Sequence, residues 1–252
     1  MNTINGQVFD FGANWLDYSQ GLTETRIKEV KESLVSLDIK DKTFFDIGCG
    51  CGVFSIAAVQ LGANRAVGLD ISHKSIESCL QNREKFNGKN CEFIEGSILS
   101  DNTFLGKFDI VYAWGSLHHT GKMWEAIKTS ANFVSNKGLF VIAIYNKHWS
   151  CLFWKSIKRF YNIAPVFIKY PMVWGFFAAN IIRRLIFVKN PFKAQRGMSI
   201  YYDAVDWLGG YPYEYATRDE VINYVEKLGF ESIKFIKAKV NTGCNEFVFR
   251  KF

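Results

Sequence analysis

A glycine-rich turn between two apolar runs narrows the folds open to this chain more than any other stretch. Thr43-Phe44-Phe45-Asp46-Ile47 reads as a short buried strand, broken by Gly48-Cys49-Gly50-Cys51-Gly52. A helix follows over Val53–Leu61, with Gly62 as its stop, and Ala66-Val67-Gly68-Leu69-Asp70 is the next strand. Glycines at such a turn let backbone approach a ligand closely, and the helix N-terminus offers unpaired N–H groups. Asp70 closes the second strand eighteen residues past Gly52, where a carboxylate accepts hydrogen bonds from ribose hydroxyls. The spacing is Gly-x-Gly-x-Gly rather than the Gly-x-Gly-x-x-Gly that cradles a pyrophosphate, which argues against a NAD-type dehydrogenase. The expected ligand is a nucleoside.

The rest of the chain extends this unit. Apolar residues at three- and four-residue spacing predict a helix over Thr25–Leu37. Ser72 is placed to cap a helix carrying Ile76, Cys79 and Leu80. Strands are expected at Cys91–Glu95, Phe108–Ala113 and Gly138–Tyr145, with a helix over Met123–Val134. Strands alternating with helices at these spacings mean a doubly wound, mostly parallel sheet of the α/β class. A helix over Arg218–Leu228, capped by Thr217, precedes strands at Phe230–Lys239 and Asn245–Arg250, which make seven strands with an antiparallel C-terminal finish. Between these parts, residues 147–200 are basic, aromatic and interrupted by Pro165, Pro171 and Pro191, with helices expected at Leu152–Tyr161 and Val173–Phe187. The chain is read as one domain over 1–252. Residues 1–40 form an N-terminal lid and helix, 41–146 a cofactor-binding core, 147–216 a helical insertion capping the substrate, and 217–252 a C-terminal helix and strands.

Charge singles out the insertion. The chain has 31 Lys and Arg against 24 Asp and Glu, a net +7. Ten of the basic residues lie between Lys147 and Arg196, a stretch with no Asp or Glu, so the remainder has 21 basic against 24 acidic residues. Such a local cationic field attracts an anion: a phosphorylated small molecule, nucleic acid or an acidic membrane surface. The uncharged run Tyr170–Ile182, thirteen residues, is too short to cross a bilayer, yet flanked by Lys and Arg it suits peripheral membrane contact. No transmembrane span is expected. Residues Met1–Asn5 show no basic start to a secretory signal, and six scattered cysteines suit reduced thiols, so the expected location is cytoplasmic. No metal site is expected, because no third ligand with suitable spacing stands beside the His118-His119 pair.

The motifs carry a family resemblance. Phe45–Gly52 with Gly68-Leu69-Asp70-Ile71 is similar to the first two motifs of class I S-adenosylmethionine-dependent methyltransferases, which have a Rossmann-like sheet. Phe108–His119 resembles their fourth motif, and Lys137-Gly138-Leu139-Phe140 their turn into the fifth strand. The resemblance implies S-adenosyl-L-methionine as cofactor and S-adenosyl-L-homocysteine as product. It implies that Asp46, Gly48, Cys49, Gly50 and Gly52 hold the methionine end, Asp70 the ribose and Ile71 the adenine face. Ser97 stands where many members have an acid facing the adenine amine; Ile98 and Trp114 are further expected contacts, and Trp15 is expected to close over the cofactor. A narrower resemblance runs through Phe11–Trp15, Ala143–Asn146, Asp206–Glu214 and Gly243–Phe247. These look like a bacterial subgroup found in surface-polysaccharide gene sets, some beside enzymes that make O-methyl phosphoramidate capsule decorations.

Methyl transfer from a sulfonium is an in-line displacement in which positioning does most of the work, and a base helps if the acceptor must lose a proton. His118 and His119 follow the fourth strand at the ligand edge of the sheet. The family pattern favours His119 for the pocket, with His118 as the rival base and catalysis by proximity alone as the alternative. Tyr145 and Asn146 end the fifth strand at the same edge. Asp206, Trp207, Tyr211 and Glu214 read as a shaped loop forming a second acceptor wall, and Arg196 supplies charge. The expected activity is O-methylation of a small anionic acceptor, such as a phosphoramidate or a nucleotide-linked sugar in capsule or surface-glycan biosynthesis. Nucleic acid is not the expected partner, for want of a separate RNA-binding module. Methylation of tRNA or other RNA, methylation of another small molecule, and a non-catalytic scaffold are the alternatives.

Overall fold

The computed structural model describes residue 19, residues 21–187 and residues 200–252. Trp15 and Arg196, and with them most of the proposed N-terminal lid, lie outside the described residues. Seven strands form one sheet in the order β3-β2-β1-β4-β5-β7-β6. They are β1 Thr43–Ile47, β2 Arg65–Asp70, β3 Cys91–Glu95, β4 Phe108–Trp114, β5 Val134–Tyr145, β6 Phe230–Ile236 and β7 Cys244–Lys251. β1 to β5 pair in parallel, and β7 runs antiparallel to both β5 and β6. The strand order reverses between β1 and β4, which opens the crevice where such sheets take their ligands.

The helices are α1 Glu24–Leu34, α2 Val53–Gln60, α3 His73–Lys85, α4 Met123–Asn132, α5 Cys151–Ile163, α6 Val166–Phe187, α7 Ile200–Gly209 and α8 Arg218–Glu226. Strand side chains alternate between the two faces of the sheet, so neighbouring residues enter different layers. Phe44 packs with Ile27, Val30 and Ile56 of α1 and α2, whereas Phe45 packs with Ala126 and Ile127 of α4 and Val221 of α8. Gly62 stops α2 in the left-handed region at φ +98°. Thr217 and Glu220 form a reciprocal capping box at the start of α8.

Two segments differ from the sequence reading. α4 ends at Asn132 and β5 begins at Val134, because Val134 already pairs with Phe108 and the register shifts before Leu139 pairs with Ile110. In the insertion, α6 starts at Val166 and runs through Pro171, although proline lacks the N–H for a helical bond. Packing of Met172, Val173 and Phe176 against Tyr161, Val205 and Leu208 outweighs that loss. The same packing makes Asp206 and Trp207 part of helix α7, not of a loop; only residues 210–216 form the connecting turn.

Candidate active site

The first wall of the crevice is built by backbone. Gly48 and Cys49 N–H groups both donate to the Leu69 carbonyl, at 2.7 and 3.2 Å, which ties the turn to the end of β2. Asp70 secures both flanks: one carboxylate oxygen accepts from Gly50 N and the other from Ser72 N, each at 2.9 Å. Each oxygen keeps a further lone pair for a ligand hydroxyl. Beside it, Ile71 is 56% exposed and offers an apolar face at the same edge. Asp46 is buried and accepts from Ser55 Oγ at 2.8 Å. Burial, opposed by the Ser55 hydrogen bond and aided by the neighbouring Asp70 charge, raises its carboxyl to about 7. Two carboxyls at the turn with no cation paired to them among the described residues suit a positively charged ligand.

The glycines divide their work. A Cβ on Gly48 would lie 2.3 Å from the Ser116 Cβ, and Ser116 Oγ donates to the Ile47 carbonyl at 2.6 Å. A Cβ on Gly52 would lie 2.8 Å from the Phe93 ring. Both glycines therefore make room for neighbouring side chains, Ser116 and Phe93. The Cys49 side chain also turns inward, 3.7 Å from Cys79 Sγ, so only its backbone belongs to the turn surface. Ile98 is buried in the core, and Ser97 Oγ accepts from Leu99 N at 3.2 Å within its own loop. Trp114 packs at the end of β4 against the α1–α2 layer.

Past the end of β4 stands an aromatic box. His118 is wholly buried, its ring centroid 4.0 Å from that of Tyr145 and 4.5 Å from that of His119. Neither of its ring nitrogens makes a full hydrogen bond among the described residues. Burial, with His119 and Lys158 beside it, holds its imidazole neutral, well below the ordinary range. His119 Nδ1 lies 2.7 Å from the Pro212 carbonyl. A carbonyl can only accept, so Nδ1 carries the proton and Nε2 the lone pair. Burial and then the Lys158 charge lower His119 to about 3. Gly210 hugs this ring: a Cβ there would stand 2.7 Å from its Cε1.

Lys158 was not singled out as a site residue, yet it lies at the centre of this wall. It is wholly buried; its ammonium donates to the Trp207 carbonyl and sits 4.2 Å from the Trp207 ring, 4.9 Å from Tyr213 and 5.8 Å from Tyr145. Burial lowers its pKa to about 7 against the pull of Asp206. The signal for it was present: Cys151, Trp154, Lys158 and Tyr161 recur at helical spacing and place the lysine on the inward face of α5. The Trp207 indole N–H is buried without a hydrogen-bond partner among the described residues.

Other expected acceptor residues support the wall. Glu214 accepts from Met123 N at 3.0 Å and caps α4. The Asn146 amide is taken up on both sides, donating to the Asn241 carbonyl and accepting from Asn245 Nδ2 at 2.8 and 3.0 Å. Both are thus engaged by protein. Tyr211 is partly buried in the turn that carries Pro212. Among the described residues no group of three His, Cys, Asp or Glu is placed to hold a metal ion.

Comparison with known proteins agrees with this architecture. A family model described as a methyltransferase domain matches residues 38–163. A ribosomal protein L11 methyltransferase of Clostridium botulinum is 42% identical over 73 residues, 29% of this chain and 23% of that enzyme. An rRNA N(6)-adenosine-methyltransferase of Danio rerio is 30% identical over 115 residues, 44% of this chain and 53% of that one. The chain thus spans from about a quarter to about half the length of these relatives. Among solved structures, magnesium protoporphyrin IX methyltransferase from Synechocystis, with bound S-adenosylhomocysteine, superposes with a TM-score of 0.57 at 16% identity. That match covers 90% of this chain and 82% of the other, and it shows the fold. One relative named for rRNA removes the support for excluding nucleic acid as a partner.

Proposed function

Since the chain belongs to the methyltransferase-domain family, we propose that it transfers a methyl group from S-adenosylmethionine to an oxygen of a small anionic acceptor. The observation that carries this reading is a pair of carboxyls at the glycine turn together with a buried lysine in the aromatic box around His118 and His119. The carboxyls are those of Asp46 and Asp70, and the lysine is Lys158. S-adenosylmethionine, when bound, supplies an electrophilic methyl group on a sulfonium.

The glycine turn, Asp46, Asp70 and Ile71 would hold that cofactor. Asp70 offers acceptor lone pairs to ribose hydroxyls and Ile71 an apolar face to the base. Asp46 regains its charge beside a cation, because an opposite charge offsets the desolvation that raises its pKa. The Lys158 charge is screened by rings and not by water, so its field reaches far into the box. That field favours an acceptor that enters already ionised. Burial first and that field second make His119 a poor proton sink: an imidazole held at about 3 orients through Nε2 and does not store the acceptor's proton. His118, buried behind Tyr145, sets the position of that ring. The unpaired Trp207 N–H provides a donor for an acceptor oxygen. An ionised oxygen held in line attacks with no deprotonation step, and positioning supplies the rate.

Residues 147–216 are the acceptor cap in this reading. Within the class of anionic acceptors, the resemblance to the surface-polysaccharide subgroup favours a phosphoramidate or a nucleotide-linked sugar. Six free thiols suit a cytoplasmic site for the reaction. RNA is the second reading, favoured by the rRNA-directed relative and by the basic stretch from Lys147 to Arg196. Single-turnover transfer from labelled cofactor to nucleotide sugars, phosphoramidates and tRNA tests both. Transfer confined to the small anions supports the first reading and transfer confined to tRNA the second. Cofactor binding without transfer to any acceptor of these classes would leave a scaffold.

A further inference from the structure

The outer surface of the cap is apolar where a helical cap exposed to water would be polar. Of the twenty large apolar residues most exposed among the described ones, twelve lie between Trp149 and Ile186. On α5, Leu152, Ile163, Phe160 and Phe153 fall within an arc of about 100° at the helical repeat. Lys155 and Arg159 border that arc, whereas Trp154, Lys158 and Tyr161 face the opposite way, into the molecule. The stripe continues across the Ala164-Pro165 corner onto α6, where Phe167 is 75% and Trp174 56% exposed. The inner faces of α5 and α6 are taken up on α7, so the outer faces point away from the domain.

We propose that this face rests on an anionic phospholipid surface. Charge complementarity selects the partner. Lys155, Arg159, Lys169 and Arg183 flank the apolar stripe, and the fifty residues from Lys147 to Arg196 hold no acid. Lys147 pairs with Glu220 at the very start of the stretch and Lys155 faces Glu214, whereas Arg159, Lys169 and Arg183 make no ion pair with another described residue. A second copy of the same surface would bring cation against cation around the apolar stripes. A bilayer of anionic lipid supplies apolar depth and negative charge together. Aromatic and aliphatic side chains sink to the acyl boundary while the long basic side chains reach the headgroups. No helix among the described residues is long and apolar enough to cross a membrane, so contact is along the surface. The inference concerns the outside of the cap and is independent of the acceptor.

Co-sedimentation of the full chain with vesicles tests it, without reference to activity. The protein is expected to pellet with vesicles of about seven parts phosphatidylcholine to three parts phosphatidylglycerol, and to stay in solution with phosphatidylcholine alone. Arg159→Gln with Lys169→Gln should weaken that partition roughly tenfold or more. Phe160→Ser with Phe167→Ser, at exposed positions whose loss leaves the core intact, should abolish it with unchanged circular dichroism. Equal binding to both vesicle types, or none to either, overturns the proposal. So does a concentration-dependent dimer, seen by light scattering, that the phenylalanine variant dissolves while the wild type ignores vesicles. Retention by tRNA but not by anionic vesicles overturns it as well.

Discussion

The glycine turn and the aromatic box handle buried charge in opposite ways. On the glycine-turn wall, Asp70 is anchored by backbone N–H groups and Asp46 by a serine on the following helix, over spans of twenty residues or fewer. On the cap wall, Lys158 is held by one carbonyl and three rings that come from β5, α7 and the turn after it. The first wall is a local design whose polar partners are supplied by the chain nearby. The second is assembled from distant pieces and leaves a cation and two imidazoles among aromatics. Directional backbone donors define a fixed ligand pose, whereas a desolvated cation defines a charge preference and tolerates varied shapes.

The contrast can be broken at several points. The largest effect is expected at the turn. Gly48→Ala combines a φ of +73° with a Cβ 2.3 Å from Ser116, and should lose about 2–4 kcal/mol of stability, read as a fall in Tm. A wild-type melting curve would show that the turn is looser than described. Asp70→Ala should weaken S-adenosylmethionine binding about 10- to 100-fold by calorimetry, from lost charge-assisted hydrogen bonds. Lys158→Met is the counterpart on the cap. It should raise KM for an anionic acceptor roughly tenfold with little change in kcat, and raise Tm by removing an expensive buried charge. A kcat collapse at unchanged KM would instead make Lys158 a participant in the chemical step.

The smallest and sharpest distinction is in pH. Asp46 is raised from an ordinary 3.8 to about 7, so between those values the native state holds a proton that the unfolded state has lost. Stability of the ligand-free protein therefore falls as pH rises from about 4 to about 7, and Asp46→Asn flattens that slope. Lys158 is lowered from 10.5 to about 7, so above pH 7 the unfolded state holds the extra proton. Stability contributed there rises from about pH 7 toward 10.5, and Lys158→Met flattens that second limb alone. Melting temperatures across pH for the two variants check both; a single variant removing both limbs would tie the walls together.

How much of this was legible depends on distance along the chain. The glycine turn and Asp70 lie within one βαβ unit, where strand periodicity with turn chemistry finds them, whereas Asp46 came from the family resemblance. The roles of Gly48 and Gly52 were not legible, because the atoms they make room for, Ser116 and Phe93, come from other strands. Glu214 read as an acceptor contact because an acid between aromatics gives no sign of the helix N-terminus 91 residues away that it caps. The partners of Asn146 were hidden for the same reason, one lying on the loop before β7 and the other on β7 itself. Trp207 was placed in a loop since two glycines follow it, and only packing against α5 and α6 makes it helical.

From sequence alone came the α/β order of the sheet, the acid that ends its second strand and the confinement of the excess positive charge to residues 147–196. Each rests on local rules: side-chain alternation, left-handed glycines and simple counting. Tertiary structure decided which of the described cations in that stretch is hidden and which stay at the surface. Lys158 and Arg159 are neighbours on one helix, and nothing local separates them. Only when α5 docks on α7 does one side chain enter the aromatic box while the next stays at the surface, because burial is a property of the packed whole and not of the residue.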